Sequence, residues 1–318
     1  MPRDIQFFFP HERPISPDYP HSRDTRLAWL QHHGLLRAPD LIERHQKADY
    51  ALLAAGCFPH ARGADLDLGI DQMNWFFVMD DFFDDAIGKD PTHAKAFITE
   101  ALNVLAGKLF QPHPVLTSFA DLWEREKEGM PPEWIHRAAA HWTNYFLIHV
   151  SEASQRSSGQ HISPEEHITQ RHHSIGCWPT YDMAERTQGF TIPNRLFYSY
   201  PFSKLGDTIT EVVILHNELV SLEKEIASGE SHNYALLLDQ PLDEAIATTR
   251  ARIDDTYRDW LIQCDQLPEL YAMLSLTPDE VTAAERYVDD ALRACYSGSM
   301  TWSYATGRYE VGFPGACP

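Results

Sequence analysis

Short proline-bearing breaks punctuate this chain at FPHARG, QPHP, MPPE, ISPEE and LTPDE, and the segments between them carry apolar residues at helical spacing. ISPEE and LTPDE join Ser or Thr to Pro and an early acid, which is the chemistry of a helix start. Alternating β-branched runs bounded by turns are almost missing. Such a chain can bury its apolar faces only as helix on helix. It is expected to be all-α, with about ten to twelve helices following a proline-rich strap over residues 1–20. No repeat, low-complexity tract or linker divides it, so 1–318 is read as one domain.

Composition narrows the partners. A formal net charge of -20 argues against nucleic acid, whose binders carry basic patches. It argues equally against docking on an anionic bilayer. No run of about 18 apolar residues is present, so no membrane span is expected. The N-terminus lacks the apolar core of a signal peptide. Five cysteines without CxxC spacing read as reduced thiols of a cytoplasmic protein. An anionic substrate would need cations to mediate its binding.

Two acidic runs point to how. Residues 67–87, taken as one helix, place Ile70, Met73, Phe77, Asp80 and Asp84 on one arc. Leu68, Trp75, Val78, Met79 and Phe82 lie on the opposite arc. A helix apolar on both sides is interior, yet its C-terminal turns read DDFFDD. Negative charge there opposes the helix dipole, and two carboxylates about 4 Å apart repel by roughly 4 kcal/mol at an effective dielectric near 20. A divalent cation converts that repulsion into binding, and hard oxygen donors suit Mg²⁺. The second run lies on a helix over 207–229. Val212, Leu215, Leu219, Leu222 and Ile226 form its core stripe, while Val213, Asn217, Ser221 and Glu225 form a row at i, i+4, i+8 and i+12. An amide oxygen, a hydroxyl and a carboxylate thus follow apolar turns, in the same layout as the first helix. A plain solvated face is disfavoured by Val213 and Ile214.

DDFFDD resembles the DDxxD motif of class I terpene synthases. Asn217, Ser221, Lys224 and Glu225 are similar to that family's second metal motif. Arg171, in RHHSIGCWP, resembles its diphosphate-sensing arginine, and Arg308 with Tyr309, in WSYATGRY, its C-terminal Arg-Tyr pair. Four motifs in order along most of the chain mark the single-domain bacterial branch, a helical bundle around a central apolar cavity.

The resemblance implies a terpene cyclase, a carbon–oxygen lyase that releases diphosphate from an isoprenyl diphosphate. It implies Asp80 as chief metal ligand, with Asp84 and Asp81 assisting. Asn217, Ser221 and Glu225 would hold a further ion, giving three Mg²⁺ for which Mn²⁺ could substitute. Arg171, Lys224, Arg308 and Tyr309 would grip the diphosphate, and residues 303–318 would form a lid and tail. Ser174 and Ile175 would be the linker and the residue whose carbonyl faces the reactive carbon, with Gly176 loosening the turn. Phe76, Phe77, Trp178 and Trp302 are candidate cavity aromatics, Phe77 and Trp302 foremost. Glu218 departs from the usual Asp; it lies off the ligand row, and little consequence is expected. A homodimer is common in the family. Farnesyl diphosphate is the expected substrate, with the twenty-carbon homologue or a chain-elongating prenyl transferase as alternatives, and an inactive helical scaffold as the reading from another class.

Asp254-Asp255 and Asp289-Asp290 are set aside as solvated pairs. His161, His167, His172 and His173 lack zinc spacing and are read with the other histidines as surface or cap residues.

Overall fold

The computed structural model describes residues 5, 7, 13–83, 87–88, 90–159 and 161–310, and among these it contains helices and no strand. Helices α1 (Tyr19–Thr25), α2 (Leu27–His32), α3 (Pro39–Ala48), α4 (Tyr50–Cys57) and α5 (Gly63–Phe82) come first. They are followed by α6 (Pro91–Leu105), α7 (Pro114–Lys127), α8 (Pro132–Ser158), α9 (Pro164–Ser174), α10 (Cys177–Gln188) and α11 (Asn194–Phe197). Then come α12 (Tyr200–Ser228), α13 (Tyr234–Leu237), α14 (Leu242–Asp265), α15 (Leu267–Met273) and α16 (Pro278–Arg286). A π-helical turn over Tyr287–Arg293 runs into α17 (Ala294–Ala305). The segments outnumber the expected ten to twelve because short helices fill corners that sequence reading takes as connections.

The punctuation marks helix starts as anticipated. Ser163 caps α9 and Thr277 caps α16, each in a reciprocal box with the glutamate three residues on, Glu166 and Glu280. Such a box satisfies two otherwise unpaired N–H groups.

α5 is interior, with Leu66, Leu68, Ile70, Met73, Trp75 and Met79 all buried. Its α-helical part ends at Phe82, Phe83 and Ile87 are π-helical, and Asp84 and Asp85 lie outside the described residues. α12 buries Val212, Leu215, Leu219 and Leu222, whereas Ile226 is 44% exposed and leaves the expected core stripe. Two described residues of the strap touch α17 and α12. Tyr304 donates its hydroxyl to the Ile5 carbonyl, and the Phe7 ring lies against His216.

α4 and α17 pack closely because glycine faces glycine. A Cβ on Gly56 would sit 2.5 Å from the Gly298 Cα, a separation no side chain tolerates. This crossing sets Tyr50 on α4 beside Trp302 on α17. Gly56→Ala is therefore expected to destabilise the fold by about 1–3 kcal/mol through backbone displacement, read as a lower urea midpoint. An unchanged midpoint would show that the two helices are free to separate.

Asp289 and Asp290 are not a solvated pair. Asp290 is buried on the π-turn and paired with Arg13, His60 and Arg286. A residue added to the helical turn re-aims side chains, which accounts for one aspartate of the doublet facing inward. Cys57, Cys177, Cys264 and Cys295 are free thiols, and Cys317 lies outside the described residues.

Candidate active site

Two consecutive residues join the acidic helix ends. Arg308 donates from Nη2 to Asp80 Oδ2 at 2.9 Å, and its Nη1 lies 3.5 Å from Asp81 Oδ1. Tyr309, its neighbour, accepts at its hydroxyl from Asn217 Nδ2 at 3.0 Å. The end of α5 and the polar row of α12 therefore face each other within the reach of two adjacent side chains. Both side chains are buried. The segment that carries them is anchored where Gly307 N donates to the Lys47 carbonyl and Thr306 Oγ1 to that of Ala48.

On the first rim Asp80 is half-exposed, while Asp81 is more enclosed and held by Arg44 Nη2 at 2.8 Å. Burial raises the Asp81 carboxyl above the usual range, and Arg308 and Arg44 offset this only in part. For Arg308, burial alone would favour the neutral guanidine, but Tyr50, Asp81 and Asp80 outweigh it and hold the charge. Its Nη1 also donates to the Tyr50 hydroxyl at 2.8 Å, and its guanidinium carbon stands 4.5 Å from the Phe77 ring centre.

On the second rim Asn217 Oδ1 accepts from Arg171 Nη2 at 2.8 Å. Ser221 Oγ donates to the Asn217 carbonyl at 2.8 Å, leaving its lone pairs available. Glu225 is raised by burial and by repulsion from Glu218, against the hydrogen bond from Asn233. Lys224 is lowered by burial and by Arg308, although Asp80 and Asp81 act the other way.

The break between α9 and α10 packs against α5. Ile175 caps α9, and Gly176 opens α10 with φ of 80°. A Cβ on Gly176 would stand 3.3 Å from Phe76 ring atoms, so both the backbone angle and the approach of Phe76 favour glycine. Phe76 stacks on Trp142 with centroids 5.2 Å apart, at 27°, and meets Tyr145 edge-on. Phe77 stacks on Tyr50 at 3.9 Å, with Trp302 at 5.3 Å. Trp302 is buried, donates to the Ala48 carbonyl and touches the Tyr309 ring. Trp178 lies away from that ladder, against Gly206 and His141.

Arg44 and Tyr50 had not been singled out, and His167 had been set aside as a surface or cap residue. An arginine on the apolar side of the amphipathic α3 was the available signal for Arg44. His167 is buried, not a surface residue, and pairs with Glu218. The expectation that Glu218 is of little consequence is also corrected. It does lie off the ligand row, but its carboxylate is buried and accepts from Arg171 Nε at 3.0 Å.

Among the described residues no three His, Cys, Asp or Glu side chains converge on one point. Carboxylates are thus spread over two rims, supplemented by an amide and a hydroxyl. That donor set fits a hard cation completed by water and substrate phosphate, and the guanidinium groups of Arg308 and Arg171 already lie against the rims' oxygens as stand-in cations.

The description "Terpene synthase family 2, C-terminal metal binding" matches residues 71–259. The chain belongs to the class I terpene synthases. Pentalenene synthase of Streptomyces arenae is 37% identical over 319 residues, covering 98% of this chain and 95% of the relative. The (-)-beta-caryophyllene synthase of Saccharothrix espanaensis is 32% identical, covering 100% and 92%. Among solved structures, the linalool/nerolidol synthase from Streptomyces clavuligerus in complex with 2-fluorogeranyl diphosphate superposes with a TM-score of 0.86 at 30% identity, over 96% of this chain and 100% of that one. The protein is therefore a terpene cyclase by family, a metal-binding lyase acting on an isoprenyl diphosphate. No helix among its described residues is long and apolar enough to cross a membrane.

Proposed function

We propose that this terpene synthase ionises farnesyl diphosphate and cyclises the resulting cation to a sesquiterpene. The observation that carries the reading is the pairing of Arg308 with Asp80 and of Tyr309 with Asn217, which sets the two oxygen-bearing rims face to face. Asp80, Asn217, Ser221 and Glu225, with Asp84 from outside the described residues, would hold three Mg²⁺ ions, for which Mn²⁺ could substitute. Bound there, the metal would supply Lewis acidity and a template for the leaving diphosphate.

The protein's own groups do the rest. Arg308 and Arg171 are now spent on the rims' oxygens. An incoming diphosphate offers both guanidinium groups a stronger, bidentate partner. Their transfer to it would free Asp80 and Asn217 Oδ1 for ligation, so diphosphate and metal would bind together. Lys224 adds a point charge and Tyr309 a hydroxyl. As the C–O bond breaks, its electron pair leaves on the diphosphate and the allyl cation remains. Phe76, and Phe77 once Arg308 has left its face, present aromatic faces to that cation. The carbonyl of Ile175, at the break opened by Gly176, would point to the reactive carbon, and Ser174 would link it to Arg171. Residues 306–310, anchored over the rims, would exclude water as the inner part of the lid, whose residues 311–318 lie outside the described residues. A distal double bond then attacks, and the final cation is ended by loss of a proton, giving a hydrocarbon, or by capture of a water that then loses a proton, giving an alcohol. Trp178 and Trp302 complete the proposed lining.

Ten-, fifteen- and twenty-carbon diphosphates, each with Mg²⁺ and with or without isopentenyl diphosphate, separate the outcomes by product mass spectrometry. A cyclic fifteen-carbon hydrocarbon or alcohol is expected. A twenty-carbon product gives the diterpene reading, an acyclic alcohol a non-cyclising synthase, and a longer diphosphate a transferase. No diphosphate released from any of them would overturn the proposal. Arg171→Ala is expected to lower kcat/KM with farnesyl diphosphate by about a hundredfold or more, since a charge-assisted phosphate contact is worth several kcal/mol in a dry site. A near-parental rate would remove Arg171 from the site. Mass in solution reads whether the protein is a homodimer.

A further inference from the structure

Glu218 gathers three segments of the chain at one buried carboxylate, only 4% exposed. Oε1 accepts from Arg171 Nε at 3.0 Å, and Oε2 pairs with His167 Nε2 at 2.9 Å. His167 and Arg171 are four residues apart, on one face of α9. Oε2 also accepts the backbone N–H of Tyr234 at 2.7 Å, at the start of α13. The Glu218 carbonyl accepts from Asn233 Nδ2 at 2.7 Å, and that same nitrogen lies 2.8 Å from Glu225 Oε2. Of the groups the proposed function uses, Arg171 is held directly and Glu225 through Asn233.

Burial alone would favour a protonated Glu218, but the His167 hydrogen bond and the Arg171 charge outweigh it and hold the carboxylate low. The geometry has a reason to require glutamate. Aspartate on the same turn would withdraw both oxygens by one carbon–carbon bond, about 1.5 Å. Contacts at 3.0 and 2.9 Å leave no slack for that. With the carboxylate gone, Arg171 would keep Asn217 and a long contact to Ser174. Its buried charge would lose its closest anion and the Nε contact that fixes the plane of the guanidinium.

We propose that the Glu218 carboxylate, braced by His167, is a positioning group that fixes the plane of the Arg171 guanidinium so that it faces the diphosphate; Glu225 is reached only through Asn233 from the Glu218 backbone carbonyl. The inference rests on the terpene cyclase reading. It adds a support carboxylate that touches neither substrate nor metal.

The test compares parent, Glu218→Asp and Glu218→Gln by calorimetric titration with inorganic diphosphate in Mg²⁺, alongside kcat and KM for farnesyl diphosphate and the thermal midpoint without ligand. Support shells of this kind are worth about ten- to a hundredfold. Glu218→Gln is expected to weaken diphosphate binding by at least about thirtyfold, and Glu218→Asp by about three- to tenfold, with kcat/KM following the same order. A purely structural carboxylate would lower the thermal midpoint and the folded fraction yet leave the affinity of the folded molecules at the parental value. That result in either variant overturns the proposal. If Glu218→Gln does not fold, Glu218→Asp decides alone. A parent that binds Mg²⁺-diphosphate but releases none from any prenyl substrate would count against the cyclase reading, while the affinity series still tests the positioning of Arg171.

Discussion

Asp80→Ala is expected to abolish turnover of farnesyl diphosphate, by at least about a thousandfold, while the far-ultraviolet spectrum stays helical. The size follows from the chemistry: one metal-ligating carboxylate supports several kcal/mol of charge stabilisation at the leaving group, and about 4 kcal/mol corresponds to a thousandfold. Survival of the fold follows from the local contacts. The Asp80 side chain is 53% exposed, and its removal leaves Arg308 on Tyr50 and near Asp81. Asn217→Ala is expected to be equally inactive but less stable, because Arg171 and Tyr309 both lose a partner there. Diphosphate release with Mg²⁺, read beside circular dichroism, checks both. Retained turnover in the two variants would sink the metal assignment.

The second large effect is on stability in acid. His216 sits on α12 beside Asn217, 1% exposed, between Phe7 and Tyr296, and burial pushes its imidazole down to about 3. In the unfolded chain a histidine titrates near pH 6.5. Below that pH the unfolded state binds a proton that the folded state refuses, so stability falls as pH falls from 6.5 toward 3. At pH 4.5 the loss from this one residue is roughly 2–3 kcal/mol. His216→Phe keeps a flat ring and cannot take up the proton. It also removes a buried Nε2 that has no hydrogen-bond partner. Urea unfolding at pH 7 and pH 4.5 is expected to show the parent losing about 2–3 kcal/mol more than the variant between the two values. Equal losses would mean that His216 is protonated in the folded protein.

Much of the fold was legible because helix starts are local. Ser163 and Thr277 announce their capping boxes within four residues, and a helix apolar on both sides must be interior whatever surrounds it. The ends were less legible. The α-helical part of α5 stops at Phe82, which nothing in DDFFDDAI marks, and α12 begins at Tyr200, where Ser199 and Pro201 in SYPFSK were a start signal that was passed over. The π-turn at Tyr287–Arg293 was invisible too, and with it the inward turn of Asp290. One extra residue in a helical turn follows from how α16 and α17 pack, not from propensity.

The candidate site divides along the same line. Asp80, Asn217, Ser221 and Glu225 stood out because polar groups at fixed spacing on an apolar face leave a periodic trace. Tyr50 left none, Arg44 left only its place on the apolar side of α3, and His167 was noticed but set aside, since a single tyrosine or histidine on a helix looks the same wherever its far end points. Glu218 was seen and misjudged: its position off the ligand row was read correctly, but the arrival of Arg171 and His167 from α9 could not be.

Periodicity within one or two turns was enough for the all-α class and the two oxygen-bearing helix ends, and the resemblance of four short motifs was enough for the family. Tertiary structure decided which charges meet across those ends: Arg308 with Asp80, Arg44 with Asp81, Tyr309 with Asn217, and Arg171 with Asn217 and Glu218. Such pairings depend on contacts up to 228 residues apart, where a displacement of one helix by a few ångströms exchanges one partner for another. No local pattern in the chain encodes that distance.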